Sequence, residues 1–164
     1  LKNNSSIVEG DYQTLLLMIK RSCEIKRKVV EEDPTEQGIR AWLNFGHTIG
    51  HAVEKLKDFS LYHGECVSIG CVAALWLSVH RGMLEKEELI QTEKMLEGFG
   101  LPIRVQGLTA KEILETTKLD KKMEAGKIKF VLLKRTGEAF VTKDIEDKEL
   151  LMAIQYIREE EGDE

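Results

Sequence analysis

Apolar residues in the first part of the chain recur every three or four positions, which is the spacing of an amphipathic helix. The residues that carry this repeat are Leu15, Leu16, Ile19, Cys23 and Val30. Asp11 follows a glycine and can cap the start of a helix, whereas Pro34 disfavours helical backbone at the residue before it. The pattern predicts a helix from about Asp11 to about Val30 with an apolar side.

A second segment, from His63 to His80, is almost wholly apolar or small and reads HGECVSIGCVAALWLSVH. A helix that is apolar all round is a buried helix, so this segment is predicted to lie at the centre of the fold. Gly64 and Gly70 lower its helix propensity and are expected where another element packs closely. Gly82 is expected to end it.

Capping signals divide the rest of the chain into shorter helices. Asn44 is expected to cap a helix that runs to about Lys57. Residues 85–97 have the pattern of another helix, and Thr109 with Glu112 forms a capping box that begins a further short one. Residues 35–43 fit either a short helix or an extended turn.

The period of the pattern changes near the C-terminus. Two β-rich runs flank residues 135–137, an Arg-Thr-Gly sequence, and predict a hairpin, while a last amphipathic helix starts near Asp147. The predicted fold class is mainly α: a helical bundle with one small β-hairpin. Residues 1–164 are expected to form one domain of this kind.

Composition narrows the class of protein. Hydrophobic residues make up 42% and charged residues 32% of the 164, which is typical of a soluble globular protein. The net charge of −5 argues against a nucleic-acid partner, and no apolar run is long enough to predict a membrane span. Cys23, Cys66 and Cys71 are interpreted as reduced core thiols of a cytoplasmic protein. The polar start at Leu1 suggests a piece of something longer.

Five polar residues between positions 36 and 51 have helical spacing: Glu36, Arg40, Asn44, His47 and His51. On a continuous helix they would form one stripe, and if a helix began only at Asn44 the last three would still share a face. A solvated face would favour Lys and Glu. An acid, a guanidinium, an amide and two imidazoles suit anion binding together with metal ligation.

The two histidines of LNFGHTIGHAVEKL lie four residues apart, which allows both to bind one metal ion. The pair alone is weak evidence, because the glutamate of the zinc-protease helix is absent: Thr48 follows His47. His63, twelve residues beyond His51, adds a third imidazole at the mouth of the buried helix. Two interpretations remain open from the residues alone: satisfied core or capping histidines, or ligands.

Two longer motifs carry a family resemblance. RAWLNFGHTIGHAVEKL and LYHGECVSIG contain the pattern R-x-x-L-N-x-G-H-T-x-G-H-A-x-E followed by H-G-E, with IKRKVVEEDPTEQG before it and LDKK after it. This pattern resembles the 3-dehydroquinate synthase family. The resemblance covers nearly the whole chain but only the helical C-terminal half of that enzyme. The N-terminal NAD-binding half has no counterpart in the chain.

The resemblance implies a metal site that is shared between the two halves. In the family two histidines and a glutamate hold a catalytic zinc, for which Co²⁺ is a possible substitute. His47 and His63 match the two histidines, and the glutamate lies upstream of this chain. Glu36 and Glu65 are not expected to replace it. His51 matches a histidine near the substrate phosphate, so the two histidines of the pair are expected to have different roles.

The resemblance also implies a set of substrate contacts. Asn44 matches a phosphate contact, Arg40 and Lys26 match cations that receive the substrate carboxylate, and Glu36 matches an acid in the same pocket. A phosphate-binding lysine is expected at Lys121 or Lys122, and the choice between them is open. Catalytic roles are expected for His51, Lys26 and Glu36.

The implied reaction is the conversion of 3-deoxy-D-arabino-heptulosonate 7-phosphate to 3-dehydroquinate and phosphate in the shikimate pathway, with zinc and NAD⁺. The enzyme is a carbon–oxygen lyase, and a homodimer is expected for the full-length protein. Other functions remain open: a related sugar-phosphate cyclase such as 2-deoxy-scyllo-inosose synthase, an iron- or zinc-dependent polyol dehydrogenase, or a non-catalytic helical module that binds metal or a partner. The chain alone is expected to be inactive, because the NAD-binding half is missing.

Overall fold

The computed structural model describes residues 3–119, 123–124 and 127–159. The helices are α1 (Asn4–Val8), α2 (Tyr12–Glu32), a 3₁₀ helix (Ile39–Asn44), α3 (His47–Leu56), α4 (His63–His80), α5 (Lys86–Gly98), α6 (Ala110–Leu119) and α7 (Asp147–Tyr156). The strands are β1 (Met123–Glu124), β2 (Lys127–Ile128), β3 (Phe130–Arg135) and β4 (Glu138–Thr142). The prediction of a mainly helical fold with a small hairpin is confirmed.

Helix α4 is the centre of the core, as its uniformly apolar sequence predicts. Its bounds coincide with the predicted ones, and Ile69, Val72 and Leu77 are completely buried. Helices α3, α5 and α7 and strand β3 pack around it. Gly82, with a positive φ of 69°, follows its end as expected. Among the described residues, no helix is both long enough and apolar enough to cross a lipid bilayer.

The contact between α3 and α4 is a contact of backbone with backbone. A Cβ atom on Gly70 would lie 1.9 Å from the carbonyl oxygen of Gly46, and one on Gly50 would lie 2.9 Å from the carbonyl oxygen of Cys66. No side chain larger than hydrogen fits at these positions, so the close packing predicted at Gly70 is confirmed. At Gly64 the same prediction is wrong, because a Cβ there would meet no atom within 4 Å.

The start of α3 differs from the prediction. Asn44 is not a cap: it ends the 3₁₀ helix, and Gly46 precedes α3 with a left-handed φ of 78°. A Cβ on Gly46 would lie 2.5 Å from the Cys71 sulfur, so the tight contact with α4 fixes the break at this residue. The polar residues from Glu36 to His51 therefore do not share one continuous helix.

Helix α2 begins as predicted, because the Asp11 carboxylate accepts from the Thr14 backbone N–H at 2.8 Å. It ends at Glu32, and none of its residues is buried. Leu16 is 47% exposed and Ile19 is 57% exposed. The apolar side of α2 is therefore exposed on the surface of this chain.

The three cysteines are free, but they do not share one environment. Cys66 is buried and Cys71 half-buried, and burial raises the pKa of these thiols to about 11 and about 12 respectively. Cys23 lies exposed on α2, so its interpretation as a core thiol is wrong. Cys23 belongs to the apolar side of α2, which suggested burial, but no other described element covers that side.

The hairpin covers one side of α4. Strands β3 and β4 pair antiparallel, with Val131 opposite Val141, around the turn predicted at residues 135–137. Ser78 of α4 accepts from the Leu133 backbone N–H at 3.1 Å and so joins the hairpin to the core. Strands β1 and β2 add a short antiparallel ladder that the pattern did not indicate.

The other predicted helix starts agree with the structure. Glu112 accepts from the Thr109 backbone N–H at 2.8 Å, and the Glu112 backbone N–H donates to the Thr109 hydroxyl at 3.2 Å, which confirms the predicted capping box. Helix α7 starts at Asp147, as predicted, and α5 starts at Lys86.

Candidate metal and anion site

Three histidines converge at the junction of α3 and α4. His47 is the first residue of α3, His51 lies one turn later, and His63 is the first residue of α4. Each offers a ring nitrogen, and these three atoms lie within 4.8 Å of one another. The ring centroids are 5.3, 5.3 and 5.7 Å apart. The loop after α3 therefore returns His63 to the first pair, as the sequence suggested.

Two of these rings are oriented by hydrogen bonds at Nδ1. The Nδ1 atom of His47 lies 3.1 Å from the carbonyl oxygen of Phe45, and that of His63 lies 3.2 Å from Oε1 of Glu54. Carbonyl and carboxylate oxygens only accept, so each Nδ1 must carry the proton. The lone pair of each neutral ring is then on Nε2. A histidine that donates from one nitrogen and ligates through the other is the usual arrangement in metal sites.

The donor set fits a divalent transition metal. Imidazole nitrogens suit zinc, copper, iron and nickel. Two nitrogens bound to one Zn²⁺ at about 2.0–2.1 Å in tetrahedral geometry lie about 3.3 Å apart. The observed limit of 4.8 Å requires the rings to move closer by no more than about 1.5 Å, which side-chain rotation can supply.

No carboxylate of the described residues belongs to this imidazole group. Glu65 accepts from the Tyr62 backbone N–H at 2.7 Å and so caps α4. The Glu36 carboxylate accepts from the Asn44 side-chain amide at 2.9 Å. Each of these two glutamates therefore has a hydrogen-bond partner outside the imidazole group.

The turn before the 3₁₀ helix carries the other polar residues and is organised by Asp33. Its carboxylate accepts from the backbone N–H groups of Gln37, Gly38 and Arg40, at 3.0, 2.7 and 3.0 Å. The hydrogen bond from Gln37, together with those from the other two residues, holds the pKa of Asp33 below its ordinary value. Sequence reasoning missed this role, although an aspartate before a proline is a common signal of a side-chain-capped turn.

The predicted carboxylate-binding residues lie on and beside this turn. Glu36 has a left-handed φ of 58°, which presents its side chain to Asn44 eight residues later. The Arg40 guanidinium donates to the Pro34 carbonyl oxygen at 2.7 Å. Lys26 is exposed on α2, which packs against the 3₁₀ helix. Asn44 does not share a helix with His51, as its predicted role as the cap of that helix required, because α3 begins at His47. Lys121 and Lys122 lie outside the described residues.

A cavity of about 510 Å³ opens beside His51. Helix α3 contributes His51 and Glu54 to its wall, and α6 contributes Thr116 and Leu119. This volume is within the range of small-molecule sites. Leu119 is the last residue of α6 and also the first residue of the LDKK motif.

Comparison with known proteins identifies the family. Residues 1–123 match the profile of the family described as 3-dehydroquinate synthase C-terminal. The chain belongs to this family. Relatives named 3-dehydroquinate synthase are 39% identical over 153 residues in Acetivibrio thermocellus and 40% identical over 152 residues in Ruminiclostridium cellulolyticum. Each alignment covers 93% of this chain and 42% of the relative.

The chain thus spans less than half the length of the 3-dehydroquinate synthases that it matches. The same holds for solved structures of the same fold. A 2-epi-5-epi-valiolone synthase from Streptomyces hygroscopicus subsp. jinggangensis, with NAD⁺ and Zn²⁺ bound, superposes with a TM-score of 0.83 and 23% identity, covering 95% of this chain and 44% of that one. A 2-deoxy-scyllo-inosose synthase complexed with carbaglucose-6-phosphate, NAD⁺ and Co²⁺ superposes with a TM-score of 0.75 and 19% identity, covering 88% and 41%.

Proposed function

We propose that residues 1–164 form the helical metal- and substrate-binding domain of a cytoplasmic 3-dehydroquinate synthase. The observation that carries the proposal is the group of three imidazoles within 4.8 Å, two of them oriented through Nδ1, in a chain of this family. The reaction would convert 3-deoxy-D-arabino-heptulosonate 7-phosphate to 3-dehydroquinate and phosphate. It would use NAD⁺ bound mainly by a second domain, in the part of the relatives' length that the alignment does not cover.

His47 and His63 are the proposed metal ligands, for Zn²⁺ or Co²⁺. Their support is that Nδ1 of each ring donates to a defined acceptor, which leaves the lone pair of the neutral ring on Nε2. A glutamate from the second domain would complete the ligand set. When bound, the metal would act as a Lewis acid that polarises the substrate hydroxyl and the ketone formed from it. The two histidines must reach it neutral, which the Nδ1–H tautomer allows.

His51 is proposed to bind the substrate phosphate. It differs from the other two histidines because it lines the cavity that also reaches the end of α6. A phosphate in that cavity would be close to the segment that leads to Lys121 and Lys122, one of which is the proposed second phosphate contact. His51 would donate a hydrogen bond to a phosphate oxygen and assist its departure as the leaving group. Asn44 is proposed to add an amide donor.

The substrate carboxylate is proposed to bind at the turn formed by residues 33–40. Arg40 offers a planar guanidinium whose fork matches a carboxylate, and Lys26 on the neighbouring helix would add a second cation. Glu36 would hold the Asn44 amide in place through their hydrogen bond and act as the acid of the pocket. Asp33 fixes the backbone on which Arg40 stands.

Helix α2 is the proposed docking surface for the second domain. Its exposed apolar residues include Leu16, Leu17, Met18 and Ile19, at 43–61% exposure. The family is described as C-terminal and the chain covers 42% of a relative's length, so a complete enzyme of this family would have a second domain available to lie against this surface. An apolar surface at that place would be covered by the second domain. A homodimer is proposed for the complete enzyme.

The solved structures of the same fold support a second candidate, a sugar-phosphate cyclase with a different sugar substrate. The relevant observation is the TM-score of 0.83 with a 2-epi-5-epi-valiolone synthase. The higher identity to 3-dehydroquinate synthases, 39–40% against 23%, favours the first proposal.

The test is a chimera in which this chain replaces the matching C-terminal part of the Acetivibrio thermocellus enzyme. With NAD⁺ and Zn²⁺, the chimera is expected to release phosphate and form 3-dehydroquinate, whereas the 164-residue chain alone forms none. The same chimera with His47→Ala controls for the metal site. A chimera that binds NAD⁺ and Zn²⁺ but turns over only a different sugar phosphate would contradict the proposed substrate, and turnover by the chain alone would contradict the division into two domains.

A further inference from the structure

Glu54 contacts a proposed metal ligand although it lies outside the set of imidazoles. It stands on α3, two turns after His47, and its side chain is 18% exposed. Its two carboxylate oxygens lie 3.2 and 3.3 Å from Nδ1 of His63. The contact joins α3 to the first residue of α4 and crosses the loop between them.

We propose that Glu54 is a positioning residue that selects the tautomer and the ring orientation of His63. Its carboxylate accepts a hydrogen bond from Nδ1–H of His63, so the lone pair of the neutral ring is on Nε2 and is available to a metal ion. This inference rests on the proposed metal site. Glu54 would not touch the metal ion itself but would hold His63 in the form that can bind it.

His63 needs such a partner more than His47 does. His47 is half-buried and donates to a backbone carbonyl two residues before it, which is fixed by the local fold. His63 is 53% exposed, and the next residue, Gly64, has open space around its Cα. Backbone and packing therefore leave the His63 ring freedom to rotate, and the Glu54 carboxylate removes that freedom.

The alternative is an exposed ion pair without influence on the ring. An ion pair of that kind contributes little to the stability of the fold, because solvent screens the charges and the side chains lose entropy. A positioning role predicts more: a defined tautomer in the metal-free protein and an effect on metal affinity. Removing an outer-shell hydrogen-bond partner of a metal-binding histidine typically weakens metal binding 10- to 100-fold.

The experiment compares the 164-residue chain with its Glu54→Ala and Glu54→Gln variants and with Glu65→Gln. The last removes the same charge close to His63 but from a side chain that caps α4, and glutamine can keep that cap. The first measurement is the ¹⁵N NMR spectrum of the histidine rings without metal, at a pH where they are neutral. The second is the affinity for Zn²⁺ and Co²⁺ by competition titration, with circular dichroism to check the fold.

Wild type and Glu65→Gln are expected to hold His63 as the Nδ1–H tautomer. Glu54→Ala should shift it toward Nε2–H and bind the metal 10- to 100-fold more weakly. Glu54→Gln keeps an acceptor oxygen and should retain most of the tautomer. An unchanged His63 tautomer, or unchanged metal affinity, in folded Glu54→Ala would overturn the positioning role. Failure of the wild-type chain to bind either metal would instead overturn the proposed metal site.

Discussion

Gly70 of α4 lies so close to Gly46 that a Cβ atom on Gly70 would be 1.9 Å from the Gly46 carbonyl oxygen. Phe45, the residue before Gly46, supplies the carbonyl oxygen that accepts from His47. The same oxygen lies 3.7 Å from the thiol of Cys71, which follows Gly70. The packing of two glycines thus sets both the approach of the two helices and the orientation of a proposed metal ligand.

Replacing Gly70 with alanine should therefore damage stability and the site together. Backbone cannot move out of the way as a flexible side chain can, so α3 and α4 must separate. Overpacking a core typically costs about 1–3 kcal/mol, and this backbone clash belongs at or above the upper end of that range. Urea unfolding followed by circular dichroism measures the loss, and Zn²⁺ titration of the folded fraction measures the site.

Gly64 provides the matched control in the same helix. A Cβ there meets no atom within 4 Å, and alanine has a higher helix propensity than glycine by roughly 1 kcal/mol. Gly64→Ala should leave stability unchanged or raise it. Equal destabilisation by both substitutions would show that the contact between α3 and α4 does not explain the effect at Gly70.

Removing the Asp33 carboxylate should loosen the turn that carries Arg40. With Asp33→Ala, the backbone N–H groups of Gln37 and Gly38 lose their acceptor, and their hydrogen exchange should become faster while α4 stays protected. Asp33→Asn keeps an acceptor oxygen, so its exchange rates at Gln37 and Gly38 should lie between those of wild type and Asp33→Ala. Exchange at Gln37 and Gly38 that is identical in wild type and Asp33→Ala would contradict this role of the carboxylate.

The same turn should weaken in acid. The pKa of Asp33 is lowered in the folded protein, so its contribution is present above the ordinary value of 3.8 and is lost as the pH falls through the folded value. Loss of protection at Gln37 and Gly38, measured as the exchange rate relative to the intrinsic rate at the same pH, is expected only in that acid range.

A second pH effect is expected at the contact between α4 and α7. Arg81 donates to the two oxygens of Glu149 at 2.9 and 2.8 Å, and this pairing lowers the Glu149 pKa from its ordinary value of 4.5. The lowered pKa means that the stabilisation is present above about pH 4.5 and disappears as the pH falls through the folded value. Arg81→Ala should lower the free energy of unfolding by roughly 1–2 kcal/mol at neutral pH, allowing for solvent screening.

The control is the exposed pair of Arg135 and Glu138 on the hairpin, where Arg135 is 78% exposed. Arg135→Ala should change stability little. Thermal unfolding measured across the acid and neutral range should show the Arg81→Ala deficit shrinking toward low pH. A deficit that stays constant with pH would show that lost packing, not the ion pair, is responsible.

The sequence predicted the core of this fold well because its signals there are local. A segment apolar on every side has few solutions other than a central helix, and His63–His80 has the bounds that its composition indicates. The capping box at Thr109 is equally local, since both of its partners lie within four residues. The resemblance to the family, which rests on a long motif, is confirmed by the profile match.

The sequence-based predictions are wrong where a contact between residues far apart in the chain determines the local structure. The spacing of Glu36, Arg40 and Asn44 suited a helix, but Glu36 has a left-handed φ in the turn that Asp33 holds. The approach of α4 then places a second left-handed residue, Gly46, before α3. The exposure of Cys23 has a similar origin, because an apolar stripe shows that a helix can pack but not what covers it. Asp33 and Glu54 were missed since their partners are backbone groups or lie across a loop.

The central claim is that His47 and His63 hold the metal whereas His51 serves the substrate. Calorimetric titration of the 164-residue chain with Zn²⁺ tests it most directly, with alanine variants of the three histidines compared under one condition. We expect weak binding of one ion by the wild type, loss of that binding in His47→Ala and in His63→Ala, and binding close to wild type in His51→Ala. Loss of binding in His51→Ala as complete as in His47→Ala would contradict the division of roles and make all three histidines ligands.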